Sequence, residues 1–374
     1  MKTVLVTGSS GFLGRNLCTA LARRGDVEIV PIDSSHARED LAAGVARADF
    51  LFHLAGVNRP RDESEFTKQN VGFTEQICAQ IEARDRPLPL VFSSSIQAEF
   101  DNPYGRSKRA AEEVLLALGR ATDTPVYVHR LPNIFGKWSR PEYNSVVATF
   151  CHHLSRGRPV RVDEPSRPLR LAYVDDVVHR WLDLLDHADS VSSGRHDHEP
   201  VHEITVGRLH DRIVSFRDSR ASGLLPDLSD PLTRALYATY VSFLDPGDLA
   251  TPVDLKTDPR GWLFELVKSR AAGQIFISRT RPGVTRGNHY HDTKVEKFCV
   301  IQGEGVIRFR PIAGDSVVEY PVSDGGIRIV DIPPGLTHSI ENTGDDDMIT
   351  IFWASEIFDP HRPDTHAAAV LPES

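Results

Sequence analysis

The sequence predicts a doubly wound parallel α/β sheet followed by an all-β antiparallel barrel, and three observations predict it. Up to about residue 185, short apolar runs alternate with segments of helical length. From about Pro246 that rhythm gives way to short strands separated by Gly, Pro and Asp turns. A chain of 374 residues is also too long for one hydrophobic core. The division is placed near residue 245, giving domains 1–245 and 246–374.

The elements follow in order. "VLV" (Val4 to Val6) is an apolar strand that runs into "TGSSGFLG" (residues 7 to 14). Leu13, Leu17 and Leu21 then recur at four-residue steps, the period of a helix, and Gly25 is placed to end it. "VEIVPID", "FLFHLAG", "LPLVFSSS" and "VYVHRLP" are short and apolar, as strands buried on both faces must be. Glu63–Arg84 and Pro103–Gly119 between them are long enough for crossover helices. Residues 187–202, "HADSVSSGRHDHEPVH", form a polar break whose histidines repeat no ligand spacing, so a solvated loop is expected. A helical stretch, "LTRALYATYVSFL", precedes the change of texture. Then come "GQIFISRT", "EKFCVIQGEG", "GVIRFRP", "VVEYPVSDGG", "IRIVDIPPG" and "DMITIFWAS", the many short strands of an antiparallel barrel or sandwich. No internal repeat is visible.

Composition excludes several roles. A net charge of −9 argues against nucleic acid or an anionic membrane as partner, because both need a basic face. No apolar run approaches the roughly 20 residues that span a bilayer. "MKTVLVTG" is a strand entering a turn rather than a signal peptide. Cys18, Cys78, Cys151 and Cys299 are scattered without C-x-x-C spacing, which suits reduced, packed thiols and a cytoplasmic location.

The glycine loop between strand and helix can seat a pyrophosphate, because free N–H groups and the positive dipole end of the helix point at it. Taken alone, the pattern is equally that of an ordinary strand-to-helix turn. A second motif, "NPYGRSK", places Tyr104 and Lys108 four apart on one helix face, shortly after "SSS" (Ser93 to Ser95) ends a strand. An ammonium near a phenol favours the phenolate and lowers its pKa. Such a Tyr can protonate a carbonyl oxygen while a nicotinamide delivers hydride to the carbon. A serine hydroxyl would hold that oxygen in place. Asp33, closing the second strand, favours NAD by repelling a 2′-phosphate, whereas Arg15, His36 and Arg38 would offset that repulsion.

With these motifs the first half resembles the extended short-chain dehydrogenase/reductases that act on nucleotide sugars. "TGSSGFLG", "HLAG" (His53 to Gly56), "SSS", "YGRSK", "RLPNIFG" (Arg130 to Gly136) and "YVDDVV" occur in that family's order over about 180 residues. The resemblance implies Ser95, Tyr104 and Lys108 as the catalytic trio, with Ser94 in place of Ser95 if the strand ends one residue earlier. It implies Gly8, Gly11, Phe12, Leu13, Gly14, Asp33, Leu54, Ala55 and Gly56, with Tyr104 and Lys108, as the NADP(H) or NAD(H) site. Asn133 and Arg170 are the substrate-binding candidates. One departure is that Tyr104 follows Ser95 by only nine residues, which leaves the sugar side of the pocket more open.

The second half carries "GVTRGNHYHDTKVEKFCVIQG", which reads G-x5-H-x-H-x4-E-x6-G from Gly283 to Gly303. His289 and His291 are two apart, so in a strand both imidazoles leave the same face. Glu296 adds an oxygen, and "PPGLTHSIEN" supplies His338. Three imidazoles and a carboxylate suit a divalent transition metal, zinc first, with iron, manganese or nickel as alternatives. The paired spacing resembles the two motifs of cupin barrels.

A sugar bearing a C4 ketone would connect the halves. The ketone acidifies the C3 hydrogen, so a base can remove it and reprotonation can invert the carbon, with a metal or fixed donors steadying the enediolate. Reduction of the ketone must come second, because it destroys that acidity. The whole chain resembles the CapF-type bifunctional enzymes of capsular-polysaccharide synthesis. That resemblance implies C3 epimerisation of a UDP-4-keto-2-acetamido-2,6-dideoxyhexose in the barrel and then NADPH-dependent C4 reduction. The product would be of the UDP-6-deoxy-L-talosamine type, on the way to UDP-N-acetyl-L-fucosamine. A homodimer is also implied. Two alternatives stay open: a nucleotide-sugar 4-epimerase or dehydratase with a structural barrel, and a non-catalytic dinucleotide sensor.

Overall fold

The computed structural model describes residues 1–252, 256–258, 261–263, 273–356, 359 and 361–371. Its contacts divide the chain into two units. One comprises Met1–Phe135, Glu142–Ser145 and Leu169–Ile204, the other Gly136–Pro141, Val146–Pro168 and Thr205–Ser374.

The first unit begins β1 (Lys2–Thr7), α1 (Phe12–Leu21), β2 (Val27–Ile32), α2 (Arg38–Arg47) and β3 (Phe50–His53). It continues with α3 (Gly72–Glu82), β4 (Leu90–Ser95), α4 (Pro103–Thr122), β5 (Val126–Leu131) and β6 (Asn133–Phe135). After α5 (Val146–Leu154), which belongs to the other unit, come β7 (Pro168–Tyr173), α6 (Val174–His187), β8 (Gly194–Asp197) and β9 (His202–Thr205). Six parallel strands form the main sheet in the order β2-β1-β3-β4-β5-β8. Strand alternation builds its two hydrophobic layers. Leu5, Leu51, Leu90 and Phe92 face α2, α3 and α4. Val4, Val6, Phe50, Phe52 and Val91 face α1 and α6, around the fully buried Trp181. The parallel, doubly wound reading is therefore what the chain adopts. The order reverses between β1 and β3, and the crevice beyond the carboxyl ends of those strands is where such sheets take ligands.

Local expectations needed three corrections. Helix α1 closes at Ala22 rather than at Gly25. The crossover helix expected over Glu63–Arg84 forms, but its opening part, Phe66–Val71, is π-helical before α3 continues it. The polar break at 187–202 is not simply a solvated loop. Its "GRHD" is β8, the sheet's edge, and its last residue, His202, opens β9 in a three-stranded sheet β6-β7-β9. An edge strand with no apolar residue leaves no hydrophobic period to read.

The second unit holds α5, α7 (Val206–Ser222) and α8 (Pro231–Ser242), with Phe216 packed on Tyr237 and Tyr240 at ring separations of 5.3 and 6.1 Å. The remaining strands are β10 (Ala250–Pro252), β11 (Lys256–Asp258), β12 (Gly261–Leu263), β13 (Gln274–Thr280), β14 (Thr285–Tyr290) and β15 (Glu296–Gln302). They continue as β16 (Glu304–Pro311), β17 (Val318–Ser323), β18 (Arg328–Ile332), β19 (Leu336–Asn342), β20 (Met348–Ala354) and β21 (His366–Ala367). Two five-stranded sheets result, β10-β18-β15-β20-β13 and β17-β16-β19-β14-β21. The pairings within them are antiparallel, as the short-strand texture requires. Sequence texture changes near residue 245, whereas three helices that precede this point in the chain cluster with the sheets that follow it.

Candidate active sites

At the switch point, Gly8 has φ +69, and a Cβ there would lie 2.7 Å from the Ala55 nitrogen. A Cβ on Gly14 would lie 2.1 Å from the Gly8 carbonyl oxygen. Glycine is thus demanded twice, once by handedness and once by close approach of α1 to the loop. Gly11 caps α1 without a side chain to offer its first N–H groups, Phe12 and Leu13 open the helix, and its first turn holds no acidic residue. An anion can take them. Leu54, Ala55 and Gly56 continue from the end of β3 on the other side of the switch point. A Cβ on Gly56 would stand 3.2 Å from Lys108 Nζ, so the "HLAG" loop and Lys108 meet. Asp33 follows β2; its Oδ1 accepts from Ser35 N at 2.9 Å and Ser35 Oγ at 2.6 Å, and pairs with His36 at 3.0 Å. Those bonds hold its carboxyl well below the usual range. Asp33 is therefore an anchored turn residue that keeps its charge beside the loop.

The three serines closing β4 have separate partners. Ser93 donates to the His53 carbonyl at 3.4 Å, and Ser94 donates to Glu112 at 2.5 Å, buried. Ser95 Oγ instead accepts from Gln97 N at 3.2 Å, and its hydroxyl acts on the Tyr104 phenol, favouring the phenolate. Asn102 caps α4 through Gly105 N at 2.8 Å with Pro103 in the first turn, and so places Tyr104 at the helix start. The short Ser95–Tyr104 connection is taken up by one turn of 3-10 helix, Ile96–Glu99. Lys108 is buried and donates to the Ser93 carbonyl at 2.8 Å. Burial lowers its pKa to about 8. Tyr104 departs from the expectation that Lys108 depresses its pKa: burial raises it to about 12, and only the Ser95 bond opposes this.

Several participants escaped sequence reasoning. His53 is fully buried, bridging Thr7 Oγ1 at 2.8 Å and Thr74 Oγ1 at 2.9 Å, and burial lowers its pKa to about 3. Asn70, in the π-helical turn, binds both Val57 backbone groups and donates to Ser107 at 3.0 Å. Glu112, which accepts from Arg130 and Arg195, braces the back of the site. It lies four residues after Lys108 and eight after Tyr104, so the shared helix face was its legible signal. Asn133 and Arg170 are exposed on paired strands β6 and β7, and Asn133 Nδ2 donates to the Arg170 carbonyl at 3.4 Å.

In the second unit His289, His291, Glu296 and His338 offer ligand atoms all within 4.8 Å of one another. His289 and His338 face each other across β14 and β19, with ring centroids 4.6 Å apart. Strand β14 bulges between Gly287 and His289, and His291 lies one residue past its end. Gly287 has φ +94 and would set a Cβ 2.9 Å from the His338 carbonyl. The bulge aims both imidazoles at one point, a task such irregularities commonly serve. His291 Nε2 and His338 Nε2 stand 3.3 and 3.7 Å from Glu296 Oε2. Among the described residues neither of these buried nitrogens has a hydrogen-bond partner, and nor does His338 Nδ1. Burial and the neighbouring histidines hold His338 well below its usual pKa, so it is neutral. Orphaned imidazole nitrogens converging on a carboxylate fit a divalent metal.

A glycine cradle at the switch point of a parallel sheet, beside a Ser–Tyr–Lys cluster, defines a dinucleotide-dependent α/β class. Residues 4–197 match the NAD dependent epimerase/dehydratase family, and residues 256–366 match the polysaccharide biosynthesis C-terminal domain. The chain belongs to the NAD-dependent epimerase/dehydratase family. The UDP-2-acetamido-2,6-beta-L-arabino-hexul-4-ose reductase of Pseudomonas aeruginosa is 45% identical over 369 residues, spanning 98% of each chain. The capsular polysaccharide assembling protein CapF from Staphylococcus aureus is similar at a TM-score of 0.67 and 38% identity, covering 98% of this chain and 100% of that one. The UDP-N-acetylglucosamine 4-epimerase from Methanobrevibacter ruminantium M1 shares the fold, with a TM-score of 0.55 and 19% identity over 65% of this chain and 98% of that one.

Proposed function

We propose that the chain is a bifunctional nucleotide-sugar enzyme. The first domain reduces C4 of a UDP-2-acetamido-2,6-dideoxy-4-hexulose with NAD(P)H, and the cupin-like domain first epimerises C3 of the UDP-4-keto precursor. The observation that carries the reductase half is the Ser95–Tyr104–Lys108 cluster at the carboxyl end of β4, against the loop that follows β3. The full-length likeness to a hexul-4-ose reductase supports the substrate class.

A reduced nicotinamide, when bound, supplies the hydride. Gly8, Gly11 and Gly14 would hold its pyrophosphate on the first turn of α1, and Asp33 would face the ribose. Ser95 holds the ketone oxygen, and Tyr104 gives it the proton. Lys108 keeps a positive charge next to the site and so favours loss of that proton. In the second unit, the four converging side chains would hold a divalent ion, zinc first, which supplies positive charge to a substrate oxygen. The ketone acidifies C3, so proton removal and return there must precede reduction. A homodimer is part of the same proposal, checked by sedimentation.

One experiment separates the halves. In D2O without nicotinamide, wild type should exchange the C3 proton of a UDP-4-keto-6-deoxy-HexNAc for deuterium, read by NMR. Tyr104→Phe should still exchange but not reduce. His338→Ala should exchange slowly, and any reduction it retains should yield the unepimerised sugar. Exchange at the wild-type rate in His338→Ala would remove the epimerase from the metal cluster and leave a reductase with a structural second domain.

A further inference from the structure

The segment after β20 returns to the metal-ligand loop and grips it. Asp364 sits at φ +39, a left-handed conformation that few non-glycine residues adopt. Its Oδ1 accepts from Asp292 N at 2.9 Å. Its Oδ2 accepts from Thr293 N at 3.0 Å, Thr293 Oγ1 at 2.9 Å and Lys294 N at 2.7 Å. These three residues are part of the short loop between His291 and Glu296. The Asp364 carbonyl, turned by its unusual backbone, takes a bond of 2.5 Å from His291 Nδ1. A carbonyl only accepts, so Nδ1 carries a proton, and Nε2 is the nitrogen the ring has left to present to a cation. That Nε2 is the atom facing Glu296. Lys294, buried, holds the same segment through the Pro363 carbonyl at 2.8 Å and Thr365 Oγ1 at 3.2 Å. Next in the chain, His366 and Ala367 pair with Tyr290 and His289.

We propose that Asp364 is a positioning residue for the cation site: one side chain fixes the loop that brings His291 and Glu296 together, and its own carbonyl selects the nitrogen that His291 presents. The inference rests on reading His289, His291, Glu296 and His338 as metal ligands. Asp292, Asp364 and His366 also offer ligand atoms within 4.8 Å of one another. Backbone N–H groups already occupy both Asp364 oxygens and His366 Nε2 lies 3.4 Å from Oδ1, so this carboxylate serves the loop.

The test uses metal-stripped full-length protein titrated with Co2+, whose visible spectrum reports coordination geometry, in competition with a chelator. Asp364→Gly keeps the backbone freedom and the carbonyl but loses the grip, and Asp364→Asn keeps the size but turns one acceptor into a donor. Both should bind Co2+ about 10–100-fold more weakly than wild type, the range for residues that orient metal ligands. Their cobalt spectra should change as well. If neither variant folds, Lys294→Gln, which frees the segment at Pro363 and Thr365, should show the same change in smaller measure. Wild-type affinity with an unchanged spectrum in Asp364→Gly, or in Lys294→Gln should both Asp364 variants fail to fold, overturns the inference. Absence of Co2+ binding by wild type overturns the metal reading itself.

Discussion

Ser93, Ser94 and Ser95 are chemically identical neighbours with three different partners: a backbone carbonyl, a buried carboxylate and the Gln97 N–H. Ser93 and Ser94 donate their hydroxyl protons to protein acceptors, whereas Ser95 accepts, which leaves its own O–H to offer a substrate oxygen in the proposed reaction. Tyr104→Phe should therefore lower NAD(P)H oxidation by at least about 100-fold while dinucleotide binding, followed by fluorescence, stays near wild type. Burial lowers the Lys108 pKa to about 8, so this ammonium is charged below that pH and neutral above it. In the proposed reduction that charge eases proton loss from Tyr104, so kcat/KM should fall on the alkaline side with an apparent pKa near 8. A profile flat to pH 10 would separate Lys108 from the chemistry. Asp33 keeps its carboxylate through Ser35 and His36. Asp33→Ser should move the NADPH:NADH preference toward NADPH on the order of tenfold, the scale of one charge-assisted contact. No change in that ratio would reduce Asp33 to a turn former.

At the scale of elements, both sites depend on irregularities rather than on regular structure. The loop from β1 to α1 touches the loop after β3 so closely that Gly8 has no room for a methyl group. Gly8→Ala should destabilise the protein by about 2 kcal/mol, since it adds both a clash and a strained φ, and should weaken dinucleotide binding further. Thermal unfolding with and without NADPH checks this: a smaller stabilisation by ligand in the variant is the expected sign. In the second unit the bulge at Gly287 plays the corresponding part, turning β14 so that His289 meets His338. Strand alternation alone would have carried the imidazoles outward in parallel, without closing them around a point.

For the whole molecule, the second unit depends on a buried charge cluster contributed by distant parts of the chain. Asp331 on β18 pairs with Lys297 on β15, both buried, and with the half-buried Arg220 on α7. Burial alone would lower the Lys297 pKa, yet Asp331 beside it holds it above its usual value. Removing one partner strands a buried charge. Asp331→Ala should cost about 3–5 kcal/mol in denaturant unfolding, far more than a surface carboxylate would. A fragment beginning at residue 246 lacks Arg220 and helices α5, α7 and α8, so it should be less stable than the same region in the full chain. Equal denaturation midpoints would show that the helices contribute nothing to it.

The fold class, the glycine loop, the Tyr104–Lys108 pair and the four metal-ligand candidates were legible because each is a local pattern. Alternating apolar runs, a four-residue helical step and H-x-H spacing follow from the geometry of one strand or one helix. Edge strand β8 was not legible, having no apolar residue, and neither were His53, Asn70 and Asp364, whose partners lie 13 to 73 residues away. The tertiary structure alone decided which serine faces Tyr104, and that burial rather than Lys108 dominates the phenol's pKa. It also decided that His291 is oriented by a carbonyl near the end of the chain. Solvent exclusion and long-range hydrogen bonds exist only once strands and loops from distant sequence meet, so spacing within a single element carries no record of them.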